Sequence, residues 1–220
     1  MRWATFDCYG TLIDWESGLR SALAWVFGDG EAERLLGRYH ALEPRVQAED
    51  PQKSYREVMA DVLAELAREE RRELGDGERD TLGRSLPAWP AFPEVPAALA
   101  EARHRGWRLV ILSNTDRDFI EASMRQIGIE FDLAVVASEI GSYKPAHGHW
   151  RAFYERTGAD PAAHAHVAAS LFHDIEPTRE LGIPSVWINR VGETTDLSPA
   201  RELPDLSQLP GTLDEIVPPA

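Results

Sequence analysis

From about residue 88 onward the chain repeats one unit: a short apolar run, a polar turn, an amphipathic segment and a glycine. The apolar runs are RLVIL (108–112), LAVVA (133–137), HVAA (166–169) and SVWI (185–188). Glycines such as Gly128 and Gly182 stand where a helix should end, because glycine adopts a positive φ without strain. Short β-rich runs that alternate with helices indicate βαβ units. With one more strand at 3–8, the pattern predicts an α/β fold with a parallel sheet.

Residues 15–87 follow a different pattern, with few β-rich runs and clear helical spacing. The apolar positions that carry this spacing are Leu19, Leu23, Val26 and Phe27, then Tyr55, Val58, Met59, Val62, Leu63 and Leu66. A proline-rich stretch, PAWPAFPEVP (87–96), returns the chain to the α/β pattern. We therefore predict a core of residues 1–14 and 88–220, interrupted after its first strand by a helical domain over 15–87. The tail with its five prolines from Pro199 onward is expected to wrap over the surface.

The charge balance and the cysteine content exclude several classes of function. The chain has 37 acidic and 23 basic side chains, and its formal net charge of −14 opposes binding to nucleic acid or to an anionic membrane. A single cysteine, Cys8, excludes an intrachain disulfide and a zinc site of the CxxC type. We find neither a signal-peptide pattern nor an apolar run of about 20 residues, so we predict a cytoplasmic protein without a membrane partner.

Polar side chains follow each of the first four predicted strands. Asp7 follows the first strand, Ser113 the second and Asp174 the fourth, while Lys144 comes a few residues after the third. Reactive groups in open parallel sheets collect at the carboxyl ends of the strands. We therefore expect two carboxylates, hydroxyl groups and an ammonium group to converge at one edge of the sheet.

Four sequence segments resemble the motifs of the haloacid dehalogenase superfamily, in particular its (S)-2-haloacid dehalogenase branch. They are FDCYGTL at Asp7, ILSN at Ser113, SYKP at Lys144 and HDIEPTRELGIPSVWINR at Asp174. The resemblance implies a hydrolase with a Rossmann-like core and a helical cap domain at 15–87. It implies that Asp7 is the nucleophile, that Thr11 lies on the loop that positions it, and that Ser113, Lys144 and Asp174 complete the catalytic group.

The resemblance also implies a set of residues that bind a small anionic substrate. Arg38, 31 residues after Asp7 in the segment RYHALE, matches a cap arginine that contacts the substrate carboxylate, and Arg34 and Arg45 compete for that role. Trp150 stands six residues after the lysine of the third motif, where the family has an aromatic hydroxyl. The remaining expected pocket residues are Cys8, Tyr9, Asn114, Ser170 and His173.

Two positions distinguish dehalogenase from phosphatase chemistry. Phosphatases of this superfamily place an aspartic acid two residues after the nucleophile, and this chain has Tyr9 there, a poor acid with an ordinary pKa of about 10. They also bind Mg²⁺ with two acids four positions apart in the fourth motif, and this chain has Ser170 before Asp174. A halide leaves without a proton, so we predict a 2-haloacid dehalogenase with no metal and no cofactor.

The predicted mechanism has two steps, attack of Asp7 on the carbon that bears the halogen and hydrolysis of the resulting ester with help from Asp174. Two alternatives stay open at this point. The first is a Mg²⁺-dependent phosphatase in which Glu176 supplies the missing metal ligand. The second is a non-catalytic binding protein on the same scaffold, suggested by Ala169 and Leu171 where related dehalogenases have serine and asparagine. The resemblance also suggests a homodimer, because related dehalogenases are commonly dimeric.

Overall fold

Six parallel strands form the centre of the molecule, whose computed structural model describes residues 1–219. The strands are β1 (Arg2–Phe6), β2 (Trp107–Ser113), β3 (Leu133–Val136), β4 (His164–Ala168), β5 (Ser185–Ile188) and β6 (Arg201–Leu203). Their order across the sheet is β3-β2-β1-β4-β5-β6. This arrangement confirms the predicted α/β, Rossmann-like fold.

Ten α-helices in residues 1–219 connect or cover the strands. Between β1 and β2 lie α1 (Trp15–Phe27), α2 (Asp29–Glu49), α3 (Tyr55–Glu69), α4 (Thr81–Ser85) and α5 (Val95–His104). The later helices are α6 (Arg117–Ile127), α7 (Ala137–Ile140), α8 (Gly148–Thr157), α9 (Glu176–Leu181) and α10 (Leu209–Ile216), and a π-helical turn at Leu171–Ile175 precedes α9. Within the described chain, no helix has both the length and the apolar character needed to cross a bilayer.

Helices α1 to α4 pack on one another and form a helical unit after the first strand. A capping box begins α3, in which the Ser54 hydroxyl accepts a hydrogen bond from the Glu57 amide while the Glu57 carboxylate accepts one from the Ser54 amide. The apolar stripe of α3 is buried at each of the six positions that the helical spacing predicts. Because α3 packs against α2 and α4, burial of this apolar stripe stabilises the unit.

The C-terminal tail differs from the expected surface wrap. Residues Arg201–Leu203 pair in parallel with β5, with Arg201 opposite Val186, and form an edge strand of the sheet. Leu209 and Leu213 of α10 are fully buried. Asp214 accepts a hydrogen bond from the indole nitrogen of Trp107 at 2.9 Å. The tail is therefore part of the core, and β6 covers the edge that β5 would otherwise expose.

The strand order brings the loops that follow β1, β2 and β4 together. Strand β1 lies between β2 and β4, so Phe6 stands opposite both Ile111 and Val167. Immediately after β1, the Asp7 amide donates to the Val167 carbonyl at 3.0 Å. The residues at the carboxyl ends of these strands are consequently neighbours, as predicted for a parallel sheet.

The first prediction about stability concerns the contact of α1 with Trp89. Gly18 lies in α1 directly under the ring of Trp89, and a methyl group at Gly18 would overlap that buried ring. We expect Gly18→Ala to lower the free energy of unfolding by about 1–3 kcal/mol, because the ring must move. The control is Gly37→Ala on the exposed side of α2, where an added methyl meets no atom within 4 Å. This control should stabilise the protein by up to about 1 kcal/mol. Urea unfolding of both variants tests the contact, and equal shifts would contradict it.

Candidate active site

Lys144 is the centre of a buried ion cluster at the carboxyl edge of the sheet. Its Nζ donates to Asp7 Oδ1 at 2.8 Å, to Asp174 Oδ1 at 2.6 Å and to the Leu112 carbonyl at 2.9 Å. The side chain of Lys144 is 1% exposed, that of Asp7 is 11% exposed and that of Asp174 is 0% exposed. All three ammonium hydrogens therefore have partners, and one cation serves two carboxylates.

The loop that carries Lys144 is held by Asn114, the residue that follows β2. The Lys144 amide donates to Asn114 Oδ1 at 2.6 Å, and Asn114 Nδ2 donates back to the Lys144 carbonyl at 2.9 Å. This paired contact fixes the backbone from which the lysine side chain reaches the two carboxylates. Asn114 thus positions the cation besides lining the cavity described below.

Thr11 fixes the second oxygen of Asp7. Its hydroxyl donates to Asp7 Oδ2 at 3.0 Å and accepts from the Ala169 amide at 2.9 Å. Thr11 itself is fully buried. The carboxylate of Asp7 is thus held at both oxygens, by a hydroxyl on one side and an ammonium on the other.

The pKa values of the two carboxylates in the cluster are shifted in opposite directions. Burial raises the pKa of Asp7, with Asp174 adding to the rise and Lys144 opposing it. For Asp174, burial alone would also raise the pKa, but Lys144 and His166 together lower it below its ordinary value. Asp174 is therefore the carboxylate that stays ionised over the wider pH range, and Asp7 is the more basic of the two.

A cavity of about 500 Å³ opens in front of Asp7, between the sheet and the helical unit. From the sheet edge it is lined by Asp7, Tyr9, Ser113, Asn114, Lys144, Ser170, His173 and Asp174. From the helical unit it is lined by Trp15, His40, Glu43, Pro44, Gln47 and Tyr55. A small ligand in this cavity would contact the ion cluster on one side and the helical unit on the other.

The structure brings most of the residues predicted from the four motifs to this cavity. The Ser113 hydroxyl is buried and has no hydrogen-bond partner within residues 1–219. The Tyr9 hydroxyl bonds to Ser123 Oγ at 3.1 Å. Ser170 accepts from the His173 amide and its hydroxyl contacts His173 Nδ1, both at 3.1 Å. Burial lowers the pKa of His173, so its imidazole is a neutral polar lining group near pH 7.

Arg38, the cap arginine that the family resemblance implies, lies outside the cavity lining. It is exposed on α2 and pairs with Glu69 of α3, with Nη2 at 2.6 Å from Oε1, and it does not line the cavity. His40 occupies that face of α2 instead. At 3.6 residues per turn, two positions correspond to a rotation of about 200° around the helix axis. Arg38 thus lies outside the described cavity lining, and its contact with a substrate carboxylate stays a prediction.

Cys8 and Trp150 also lie outside the cavity lining. Cys8 is fully buried in the hydrophobic core, because consecutive residues of extended backbone point in opposite directions and Asp7 takes the cavity side. Trp150 is 1% exposed and packs edge-on against His166, with ring centroids 5.4 Å apart. Both side chains are thus core residues behind the cavity wall, and a substrate-binding role for either stays a prediction.

The sequence reasoning missed the cavity face of α2. His40, Glu43 and Gln47 follow a spacing of three and four residues and line the cavity together. Glu43 is 8% exposed and accepts from the Tyr55 hydroxyl at 2.6 Å. Burial raises the pKa of Glu43 to about 7, and Asp7 adds to the rise. The polar stripe in α2 was the signal that could have identified this face.

The residues present do not fit a Mg²⁺ ion, the metal that the phosphatase alternative requires. The ammonium of Lys144 stands between the carboxylates of Asp7 and Asp174, at hydrogen-bond distance from both. Ser170 contributes a hydroxyl that His173 already engages, and Glu176 pairs with Arg179 on α9, at 47% side-chain exposure. Across residues 1–219, no three histidine, cysteine or acidic side chains are grouped to hold a metal. Mg²⁺ prefers several hard oxygen ligands, and three of the four carboxylate oxygens of Asp7 and Asp174 already accept hydrogen bonds from side chains.

Comparison with known proteins gives the same family for sequence and structure. The family model of haloacid dehalogenase-like hydrolases matches residues 1–182. An (S)-2-haloacid dehalogenase of Pseudomonas sp. strain YL is 29% identical over 191 residues, which cover 85% of this chain and 82% of that protein. A phosphoserine phosphatase of Thermus thermophilus is 29% identical over 194 residues, covering 84% and 76%.

A crystal structure of an L-2-haloacid dehalogenase superimposes with a TM-score of 0.85 at 25% identity, covering 97% of this chain and 99% of that chain. The resemblance in fold thus extends over nearly the whole molecule, including the helical unit after the first strand. Together with the family match and the ion cluster at the sheet edge, it identifies the protein's family: the chain belongs to the haloacid dehalogenase-like hydrolases.

Proposed function

We propose that this hydrolase displaces halide from a small 2-haloalkanoic acid through an ester formed on Asp7, without a metal or another cofactor. The observation that carries the proposal is the ammonium of Lys144 between the two carboxylates. It offsets the negative charge of Asp7 and Asp174 with a side chain of the protein itself. The helical unit, assigned here to residues 15–87, serves as the cap over the cavity. A cytoplasmic location and a homodimeric state stay predictions.

In the first step an oxygen of Asp7 attacks the carbon that bears the halogen. A carbon–oxygen bond forms as the carbon–halogen bond breaks, and the halide leaves with the bonding electron pair, inverting that carbon. Thr11 and Lys144 hold the carboxylate in one orientation, so little ordering is needed before attack. Asn114, beside the lysine, lies in the cavity wall that the departing halide would meet.

In the second step water adds to the ester carbonyl of Asp7 and gives a proton to Asp174. The tetrahedral intermediate then expels the alkoxide of the 2-hydroxy acid, which takes that proton, and Asp7 is released as a carboxylate with one proton passing to solvent. Lys144 stabilises the oxyanion that develops on the ester, because it already donates to Asp7. Asp174 Oδ2 is buried and has no hydrogen-bond partner in the described chain, so this oxygen is the one available as base.

Tyr9 opposes the phosphatase alternative. Phosphate esters release an alkoxide that needs a proton, and Tyr9 stands at the position of the family's acid. Burial raises the pKa of Tyr9 far above its ordinary value of 10. Its hydroxyl is also engaged by Ser123. A halide needs no proton, so the same residue is compatible with dehalogenation.

The cavity limits how a carboxylate substrate can be recognised. Its described lining contains six carboxyl groups, namely Asp7, Asp14, Glu16, Glu43, Asp174 and Glu193, and two cationic side chains, Lys144 and Arg190. Arg190 already donates to Glu94 at 2.7 Å and to the Thr11 carbonyl at 2.8 Å. A protonated Glu43 would remove one negative charge from the wall and offer a hydrogen-bond donor. We infer that a haloacid anion enters best when Glu43 is neutral.

The first prediction concerns the nucleophile. Asp7→Asn should reduce chloride release from (S)-2-chloropropionate by at least about 10³-fold, because the amide cannot displace the halide. EDTA should leave the wild-type rate unchanged. Asp118→Asn, a change of the same chemistry at an exposed residue of α6, is the control. Turnover of p-nitrophenyl phosphate with Mg²⁺, without any halide release from the haloacid, would assign the protein to the phosphatases instead.

A second prediction concerns the ester. One turnover in H₂¹⁸O should place ¹⁸O in the side-chain carboxyl of Asp7, because water attacks that carbonyl, and the first product molecule should carry the unlabelled oxygen. Mass spectrometry of the peptide that contains Asp7 measures the label. Full turnover with the label only in the product would mean direct attack of water on carbon and would end the proposed mechanism.

A third prediction concerns pH. The pKa of Glu43 lies near 7 in the folded protein, so the side chain ionises as the pH rises through 7 and then repels an anionic substrate. kcat/KM for 2-chloropropionate should fall between about pH 6 and about pH 8.5, and Glu43→Gln should remove most of this fall. Glu49→Gln, at the exposed end of the same helix, should keep the wild-type profile. Identical profiles for wild type and Glu43→Gln would show that Glu43 does not control substrate entry.

A further inference from the structure

A row of buried hydrogen bonds crosses the sheet from Asp174 to Tyr154. His166 Nε2 lies 3.0 Å from Asp174 Oδ1, and His166 Nδ1 lies 2.7 Å from Thr5 Oγ1. Thr5 Oγ1 lies 2.8 Å from His164 Nε2, and His164 Nδ1 lies 2.8 Å from the Tyr154 hydroxyl. His166, Thr5 and His164 are fully buried, and the row ends at a half-buried tyrosine. None of these four residues lines the cavity.

Strand geometry places this row on one face of the central sheet. His164 and His166 are two residues apart in β4, so they point to the same side, and Thr5 stands directly opposite His166 in β1. Strands at the centre of a parallel sheet are usually apolar because both faces are covered. Three polar side chains here are compatible with burial because each one has hydrogen-bond partners.

Asp174, at one end of the row, determines which ring nitrogen of His166 carries a hydrogen. Asp174 is the ionised carboxylate of the cluster and can only accept, so the facing nitrogen of His166 must carry a hydrogen. This holds for the neutral and for the charged imidazole, since the Thr5 hydroxyl can donate to or accept from the other ring nitrogen. Burial lowers the pKa of His164 to about 3, which keeps that ring neutral as a link between Thr5 and Tyr154.

The two carboxylate oxygens of Asp174 consequently differ in their hydrogen-bond partners. Oδ1 accepts from Lys144 Nζ and from His166 Nε2, whereas Oδ2 has no partner in the described chain. A carboxylate held at one oxygen by two donors from different directions cannot rotate freely. The remaining oxygen then keeps a fixed direction relative to Asp7, which shares the same ammonium.

We propose that His166 is a positioning residue for the hydrolysis step, which donates its Nε2 hydrogen to Asp174 and thereby holds the other carboxylate oxygen ready to take a proton from water. This inference rests on the proposed function, since it assigns a role within the second step. Thr5, His164 and Tyr154 support it by holding the ring of His166 from the opposite side. Trp150 packs on the same ring and limits its tilt.

The test compares His166→Leu with His166→Gln on (S)-2-chloropropionate. Leucine removes the donor, so the ester on Asp7 should form at the wild-type rate and then break down about 10- to 100-fold more slowly. Rapid mixing should therefore show a burst of one chloride per active site, and mass spectrometry should find the ester on the Asp7 peptide. Glutamine carries an amide hydrogen in the place of Nε2, and it should restore much of the breakdown rate.

A pH profile separates positioning from mere packing. Without the His166 donor the pKa of Asp174 rises, so the acid limb of ester breakdown should move to higher pH in His166→Leu and move back in His166→Gln. Phe153→Leu is the packing control, because Phe153 contacts the His164 ring at a centroid distance of 4.7 Å but donates no hydrogen bond. It should lower stability without accumulating ester.

Failure of the proposed function and failure of the role of His166 give different experimental results. Wild-type enzyme that releases no halide from any 2-haloacid would overturn the proposed function, and the role of His166 would fall with it. An active wild type whose His166→Leu variant slows both steps equally, or neither step, would overturn this inference alone. Should the leucine variant fail to fold, His166→Asn replaces it, because the shorter amide cannot reach both Thr5 and Asp174. If the ester on Asp7 then breaks down in His166→Asn as fast as in His166→Gln, the inference is overturned.

Discussion

The contact on which the site depends is the buried ammonium of Lys144 between Asp7 and Asp174. Two carboxylates within a few ångströms of each other would not both stay ionised in a buried environment without a cation. The three residues come from separate loops, so the ion cluster forms only when β1, β4 and the segment after β3 are assembled. Because this cation is a side chain, its charge is present whenever the chain is folded. The site's electrostatics are therefore inseparable from the fold of the sheet.

On the opposite wall of the cavity, the buried acid is not paired with a cation. Glu43, His40 and Gln47 face the ion cluster from α2, and Glu43 is paired with a phenol instead of a cation. A buried acid with a pKa near 7 changes its charge within the range where enzymes act. The proposed division of roles follows: the ion cluster at the sheet edge carries out the reaction, and Glu43 of the helical unit controls the entry of an anionic substrate. An arginine on the same face would have made entry insensitive to pH.

Much of the fold and of the ion cluster at the sheet edge could be predicted from the sequence because both depend on short-range regularities. The βαβ repeat determines a parallel sheet, and polar residues at strand ends must then meet at one edge, which is how Asp7, Ser113 and Asp174 were recognised. The position of Arg38 outside the cavity lining could not be predicted, because residue spacing does not reveal which face of a helix is turned inward. The strand at Arg201–Leu203 was missed because three residues carry no periodicity.

His164 and His166 show what a closer reading of strand periodicity would have added. In the segment HAHVA the two histidines alternate with small apolar residues, a pattern that points both rings to one side of a buried strand. A buried imidazole is costly unless it is bonded at both nitrogens, so such an alternation predicts polar partners on a neighbouring strand. Thr5 meets that requirement in β1, and Asp174 meets it beyond the end of β4. The same need for hydrogen-bond partners that makes these histidines tolerable in the core thus links the interior of the sheet to the base of the proposed reaction.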